Sequence, residues 1–169
     1  MKKIFLLLMA FFPPYVFSHA VLLPNQAKSG SYHRAAIKIG HGCNGSATTK
    51  IVIEIPESVH MAKPMPKPGW EIEIVRAKLA EPYDSHGKLL TEDVRQLIWY
   101  GGNIPDDYYD EFVFHMKLPE SAGKIYFPVK QTCTDGENYW KEIPDAHDGH
   151  AGHSAFPAPV LELTDNPEK

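Results

Sequence analysis

Short alternating runs, broken by proline and glycine, constrain this chain more than any other feature. In Lys50–Ile55, Ile51, Ile53 and Ile55 fall on one face and Glu54 on the other. Trp70–Val75 repeats the pattern, with Trp70, Ile72 and Ile74 opposite Glu71 and Glu73. A period of two in β-branched and aromatic residues describes a half-buried strand, since a helix would scatter those side chains around its axis. Further runs read as strands at His19–Leu23, Ser31–Ile39, Arg95–Tyr100, Tyr109–Leu118, Lys124–Val129, Tyr139–Ile143 and Ala158–Leu163. Pro128 breaks the Lys124–Val129 run and calls for an edge or a bulge. Pro24–Ser29 and Leu79–Lys88 read as turn or loop, Glu57–Pro68 as a proline-broken connection, and Thr134–Glu137 as a hairpin turn. With 15 prolines and 12 glycines and no helical period, the pattern predicts about eight short strands in an all-β, antiparallel β-sandwich.

The amino-terminal stretch is of another kind. Residues 1–18 read as a signal peptide: Lys2 and Lys3 precede the apolar Ile4–Phe12, and Ser18–His19 is the best cleavage junction. Residues 19–169 then form a single domain, with a histidine-containing loop near 145–154. The Ile4–Phe12 run alone is too short to span a bilayer, and no second apolar run is long enough, so no membrane anchor is expected after signal removal. The formal charge of −4 and the lack of a dense basic patch argue against nucleic acid as a partner. Cleavage before His19 would leave an amine and an imidazole on one residue, a five-atom chelate suited to Cu(II), which favours nitrogen-rich tetragonal sites. The plainer reading is a frayed first residue with no role.

Cys43 and Cys133 both lie in the exported part, so a disulfide is expected, with two thiolate ligands of a soft metal as the alternative. His147, His150 and His153 recur every third residue in a glycine-broken segment that could wrap an ion as an accessory metal site or serve only as a solvated loop. His41 and Cys43 form a His-x-Cys pair that could ligate metal or merely abut the disulfide, the second being the favoured reading. Glu54 and Glu142 are reasonable oxygen ligands, although salt bridges or solvent are the usual fate of such side chains. Trp140 reads as a core aromatic. HExxH, GxSxG, P-loop and dinucleotide signatures are absent, which makes an enzyme the weaker reading.

Taken in order, the motifs resemble the YcnI-like domains. The likeness runs through His19-Ala20, Gly40-His41-Gly42-Cys43, Ile55-Pro56-Glu57, Lys67-Pro68-Gly69-Trp70, Gln131-Thr132-Cys133, Trp140, Glu142-Ile143-Pro144 and Pro157-Ala158-Pro159. The paired Gly-His-Gly-Cys and Gln-Thr-Cys motifs resemble the Gram-negative branch, which implies the periplasm. The resemblance implies a cupredoxin- or immunoglobulin-like β-sandwich that binds Cu(II) through a processed amino-terminal histidine, a carboxylate and a nearby tryptophan. Carried over, these are His19, Glu142 with Glu54 as the second choice, and Trp140. It further implies a periplasmic copper chaperone or metallochaperone, partnered by copper-handling proteins. A copper-dependent oxidase or oxygenase, and an extracytoplasmic interaction module without catalytic activity, are the alternatives.

Overall fold

The structure, a computed structural model, describes residues 19–144 and 155–166. The expected leader and the His147, His150 and His153 segment lie outside the described residues. Twelve strands follow in order: β1 Val21–Leu23, β2 Gln26–Lys28, β3 Tyr32–Ile39, β4 Thr48–Glu54, β5 His60–Pro64, β6 Glu71–Ser85, β7 Lys88–Ile104, β8 Asp110–Lys117, β9 Gly123–Tyr126, β10 Val129–Cys133, β11 Glu137–Trp140 and β12 Val160–Thr164. None of the described residues is helical, and no helix among them is long and apolar enough to cross a membrane.

The strands form three sheets, ordered β1-β3-β8-β5, β11-β10-β4-β7-β6 and β2-β12-β9. The first two carry the core between them. Ile37, Phe112, Phe114 and Met116 from one sheet meet Ile51, Ile53, Leu97 and Trp99 from the other, all at 1 % exposure or less. The alternation of the sequence supplies these inward faces, and burial of their apolar surface is the main force joining the layers. Aromatic edges interlock there: Trp70 and Trp99 both meet the Phe112 ring at T-shaped angles, with centroids 5.0 and 5.6 Å away. At one lateral side β5 closes onto β7, where Met61 N–H donates to Asp93 (2.9 Å) and Trp99 Nε1–H to the Met65 carbonyl (3.2 Å). The sheet orders then leave β1 and β11 as the edges at the other side.

Several expectations need correction. Twelve strands replace eight, and β12 pairs with β2 in parallel, so the sandwich is not antiparallel throughout. Pro24–Ser29 contains β2, and the Glu57–Pro68 connection contains β5. Leu79–Lys88 is not a loop but the distal part of a long β6–β7 hairpin. Its two-residue turn is His86-Gly87, with φ of 54° and 81°, the left-handed pair that matches strand twist. Pro82 is accommodated where the register shifts between Lys78 and Tyr83. The Lys124–Val129 run is not one strand: Pro128 separates β9 from β10 and the chain passes there from the third sheet to the second.

Candidate functional site

His19 is exposed at the start of the described chain, and Ala20 and Leu22 just after it are buried at 5 % and 1 %. Those two side chains fix β1 against β3 with Val21 opposite Lys38 and Leu22 opposite Ile37. One more step in that register sets Ala20 against Ile39, both in the core. His19 precedes β1 at the end where Val21 faces Lys38, close to where β3 leads into the Gly40–Ala47 loop.

That loop is held at every residue from His41 to Cys43. The His41 carbonyl accepts from Gln131 Nε2 (2.8 Å). Gln131 is fully buried, also donates to Thr48 Oγ1 (2.7 Å) and accepts from Asn138 Nδ2 (2.9 Å). Gly42 N–H donates to Asp106 Oδ1 (2.9 Å). A Cβ at Gly42 would lie 1.7 Å from the Ser46 carbonyl oxygen, so only glycine fits. Cys43 exchanges backbone hydrogen bonds with Ser46 and is disulfide-bonded to Cys133, across a sequence separation of 90 and a Cα–Cα distance of 5.8 Å. The expected disulfide is present, which removes both thiols as metal ligands.

The remaining sequence candidates are spread over the sheet that contains β11. Trp140 is buried at 3 % and pairs with Val129, which in turn faces Ile53 near the far end of β4 from Thr48. Glu54 follows Ile53 on the opposite face, where its Oε1 accepts from the Tyr139 hydroxyl at 2.5 Å. Glu142 lies beyond β11, bridged to Pro157, with its Oε2 accepting from Phe156 N–H at 3.3 Å. Among the described residues, no group of three or more His, Cys, Asp or Glu side chains could hold a metal ion.

A second polar cluster was not legible in the sequence. Asp93, at 3 % exposure, accepts from Met61 N–H (2.9 Å), the Tyr83 hydroxyl (2.8 Å) and Val94 N–H (2.7 Å). His60 Nδ1 lies 3.6 Å from it. Burial pushes the Asp93 carboxyl up, but those donors and the Arg95 charge outweigh it and hold the group below its ordinary value. Burial lowers His60, against the opposing pull of Asp93. His60 and Tyr83 line a cleft of about 400 Å³ with Glu57, Ser58 and Glu81. In the sequence Asp93 stands beside Glu92 with no local feature to set it apart. Only the packing of β5 against the hairpin brings Met61 and His60 to it, and only the hairpin's register brings Tyr83.

The family model described as "Domain of unknown function (DUF1775)" matches residues 19–163. The chain belongs to the DUF1775 family. The match opens on His19, the residue at which the sequence reading placed the mature terminus. The copper-binding protein CutI of Bacillus subtilis (strain 168) is 24 % identical over 142 residues, covering 83 % of this chain and 64 % of that relative. A crystal structure of an uncharacterized protein from Nocardia farcinica, described as having an immunoglobulin-like fold, superposes with a TM-score of 0.65 at 24 % identity, over 86 % of this chain and 97 % of that one. The DUF1775 chain is thus an all-β sandwich resembling the immunoglobulin-like fold.

Proposed function

We propose that the chain is an exported Cu(II)-binding protein, a periplasmic copper chaperone or metallochaperone of the Gram-negative branch, that takes the ion at a mature amino-terminal His19. The observation that carries this reading is the position of His19. It stands immediately before Ala20 and Leu22, which are anchored in the core, so cleavage there would leave the chelating residue on a fixed strand instead of a loose tail. The name of the Bacillus subtilis relative supports copper as the ligand. In this reading the amine and imidazole of His19 bind as one arm. Glu142 is the first choice of carboxylate and Glu54 the second, with Trp140 as the neighbouring aromatic. His147, His150 and His153 form a weaker accessory site. The ion is cargo, so ligands that exchange readily suit the role better than a closed cage.

A second reading, an extracytoplasmic interaction module without catalytic activity, is favoured by the lack of a three-side-chain metal cluster among the described residues. The exposed Val21 and Leu23 on the edge strand β1 also favour it.

Intact mass of the secreted protein, combined with Cu(II) titration and electron paramagnetic resonance, tests the copper reading. The mass should match cleavage before His19, and one tight site with nitrogen ligation should appear. A variant with one alanine inserted before His19 should fold and lose that site. Equal affinity and an equal spectrum in the two proteins would reject His19. Partner capture unaffected by a copper chelator, with no tight site in the processed protein, would establish the interaction module.

A further inference from the structure

We propose that the outward face of the β1-β3-β8-β5 sheet docks an acidic segment of a partner protein, with Arg34, His115 and Lys63 as the row that receives its carboxylates. The inference stands whether or not His19 takes copper, since none of these residues belongs to that reading.

Register puts the three side chains in line. Arg34 on β3 is directly opposite His115 on β8, and Lys63 on β5 is directly opposite His115 from the other side. Phe114 and Met116 flank His115, Ala62 precedes Lys63 and Ala35 follows Arg34, and all four lie in the core. Side chains alternate along a strand, so Arg34, His115 and Lys63 point away from the core, and all three are exposed. Two strand spacings put the ends of the row about 10 Å apart. Tyr32 lies flat on the His115 ring, with centroids 5.5 Å apart and planes at 9°, which braces the imidazole. Lys117 Nζ stands 5.3 Å from the centre of the Tyr32 ring and adds a further cation beside the row.

The fold alone gives this arrangement no counter-charge. The chain carries a formal −4, and the neighbouring lysines are matched, Lys67 with Asp110 at 2.6 Å and Lys117 with Glu120 at 3.6 Å. Among the described residues, neither Arg34 nor Lys63 has a carboxylate within ion-pair distance. Glu111, on the same face of β8, is about 13 Å along the strand from His115 and stands opposite Lys38. Cations gathered on neighbouring strands repel one another and weaken a sheet. An incoming carboxylate removes that cost.

The shape of the face favours a peptide over a lone anion. The row borders a groove of about 250 Å³ whose other walls include Pro64, Met65 and Val113. Met65 is 54 % exposed, and a flexible thioether suits a surface that must accept a partner's apolar side chain. Carboxylates on the row and an apolar side chain in the groove together describe an acidic segment that carries a residue such as leucine. Charge complementarity of this kind speeds encounter and fixes the orientation of the partner.

The test uses a short fluorescent peptide of Asp and Glu with two leucines, and the same peptide with Asn and Gln in place of the acids. Anisotropy at low salt should show the acidic peptide binding and the amide peptide not binding. Amide shifts in the nuclear magnetic resonance spectrum of the parent protein should map to β3, β5 and β8. The Arg34→Glu, Lys63→Glu variant should lose at least tenfold in affinity. The Arg76→Glu, Lys78→Glu variant makes the same change of net charge on the exposed β6–β7 hairpin and should bind like the parent. Equal losses in the two variants would reduce the effect to net charge and overturn the site. A parent that ignores the acidic peptide, or shifts confined to other strands, overturns it without any variant. Tighter binding to phosphatidylglycerol vesicles than to the peptide would assign the face to a membrane surface instead. Displacement of the peptide by an equal concentration of inorganic phosphate would reduce it to a small-anion site.

Discussion

Asp93 shows how a single side chain can hold two sheets together and set an acid limit on the fold. Its two oxygens accept from Met61 on β5, Tyr83 on β6 and Val94 on β7, so removing the charge leaves buried donors facing a poorer acceptor. Asp93→Asn should cost about 1–3 kcal/mol at pH 7, read from urea unfolding. Asp93 lies below its ordinary value, and His60 and His33 lie below theirs, both histidines chiefly through burial. A depressed value means that the unfolded chain takes up the proton first. Stability is then fully present above the unfolded value and is lost as pH falls. For the two histidines the loss should begin below about pH 6.5, and for Asp93 it follows in the carboxylate range. The melting temperature should therefore drop between pH 7 and pH 5. A His33→Gln, His60→Gln variant should drop less over that interval, whatever its starting stability. An equal slope in the two proteins would show that neither imidazole is held neutral by the fold.

The strands and their connections carry a different lesson. The disulfide joins the β3–β4 loop to the end of β10 across 90 residues. Closing so long a loop in the unfolded chain should contribute about 2–5 kcal/mol, so the Cys43→Ala, Cys133→Ala variant should unfold at clearly lower urea concentration, with the slope of the transition reporting any change in the unfolded state. An unchanged midpoint would mean that the native contacts alone fix this end. That bridge was legible because two cysteines in a chain read as exported leave one intramolecular pairing. β3, β4 and β8 were legible because Ala35–Ile37–Ile39, Ile51–Ile53 and Phe112–Phe114–Met116 alternate over several residues. β2 was not, since Gln26–Lys28 is three residues long and owes its strand state to β12, far along the chain. The β6–β7 hairpin was hidden for another reason. Its distal arms have no buried face, so alternation vanishes between Arg76 and Leu90 although the backbone pairing continues. At the candidate site, His19 and the cysteines could be read from local sequence. The hold of Gln131 and Asp106 on the Gly40–Ala47 loop could not, since it depends on which strands meet, which a periodic pattern does not encode.

For the whole molecule, the question is whether copper would bind the fold or only its loose end. A chelate on a frayed terminus binds folded and unfolded chains alike and leaves their equilibrium unchanged. A site that includes His19 on a docked β1 exists only in the folded protein, because the pairing of β1 with β3 holds that strand in place. Free Cu(II) at a hundredfold excess over its dissociation constant would then stabilise the fold by about 2.7 kcal/mol. For a domain of this size that corresponds to a rise in melting temperature of about 5–10 °C. Scanning calorimetry of the processed protein with and without Cu(II) should show the rise, and the variant with alanine inserted before His19 should not. The control matters because unfolded histidine-rich segments also take up copper, which would reduce the shift in both proteins equally. A rise of the same size in the two proteins would place the stabilising site away from the mature terminus. No rise in the processed protein, with tight binding still measured, would mean that the ion sits on a terminus the sandwich does not hold.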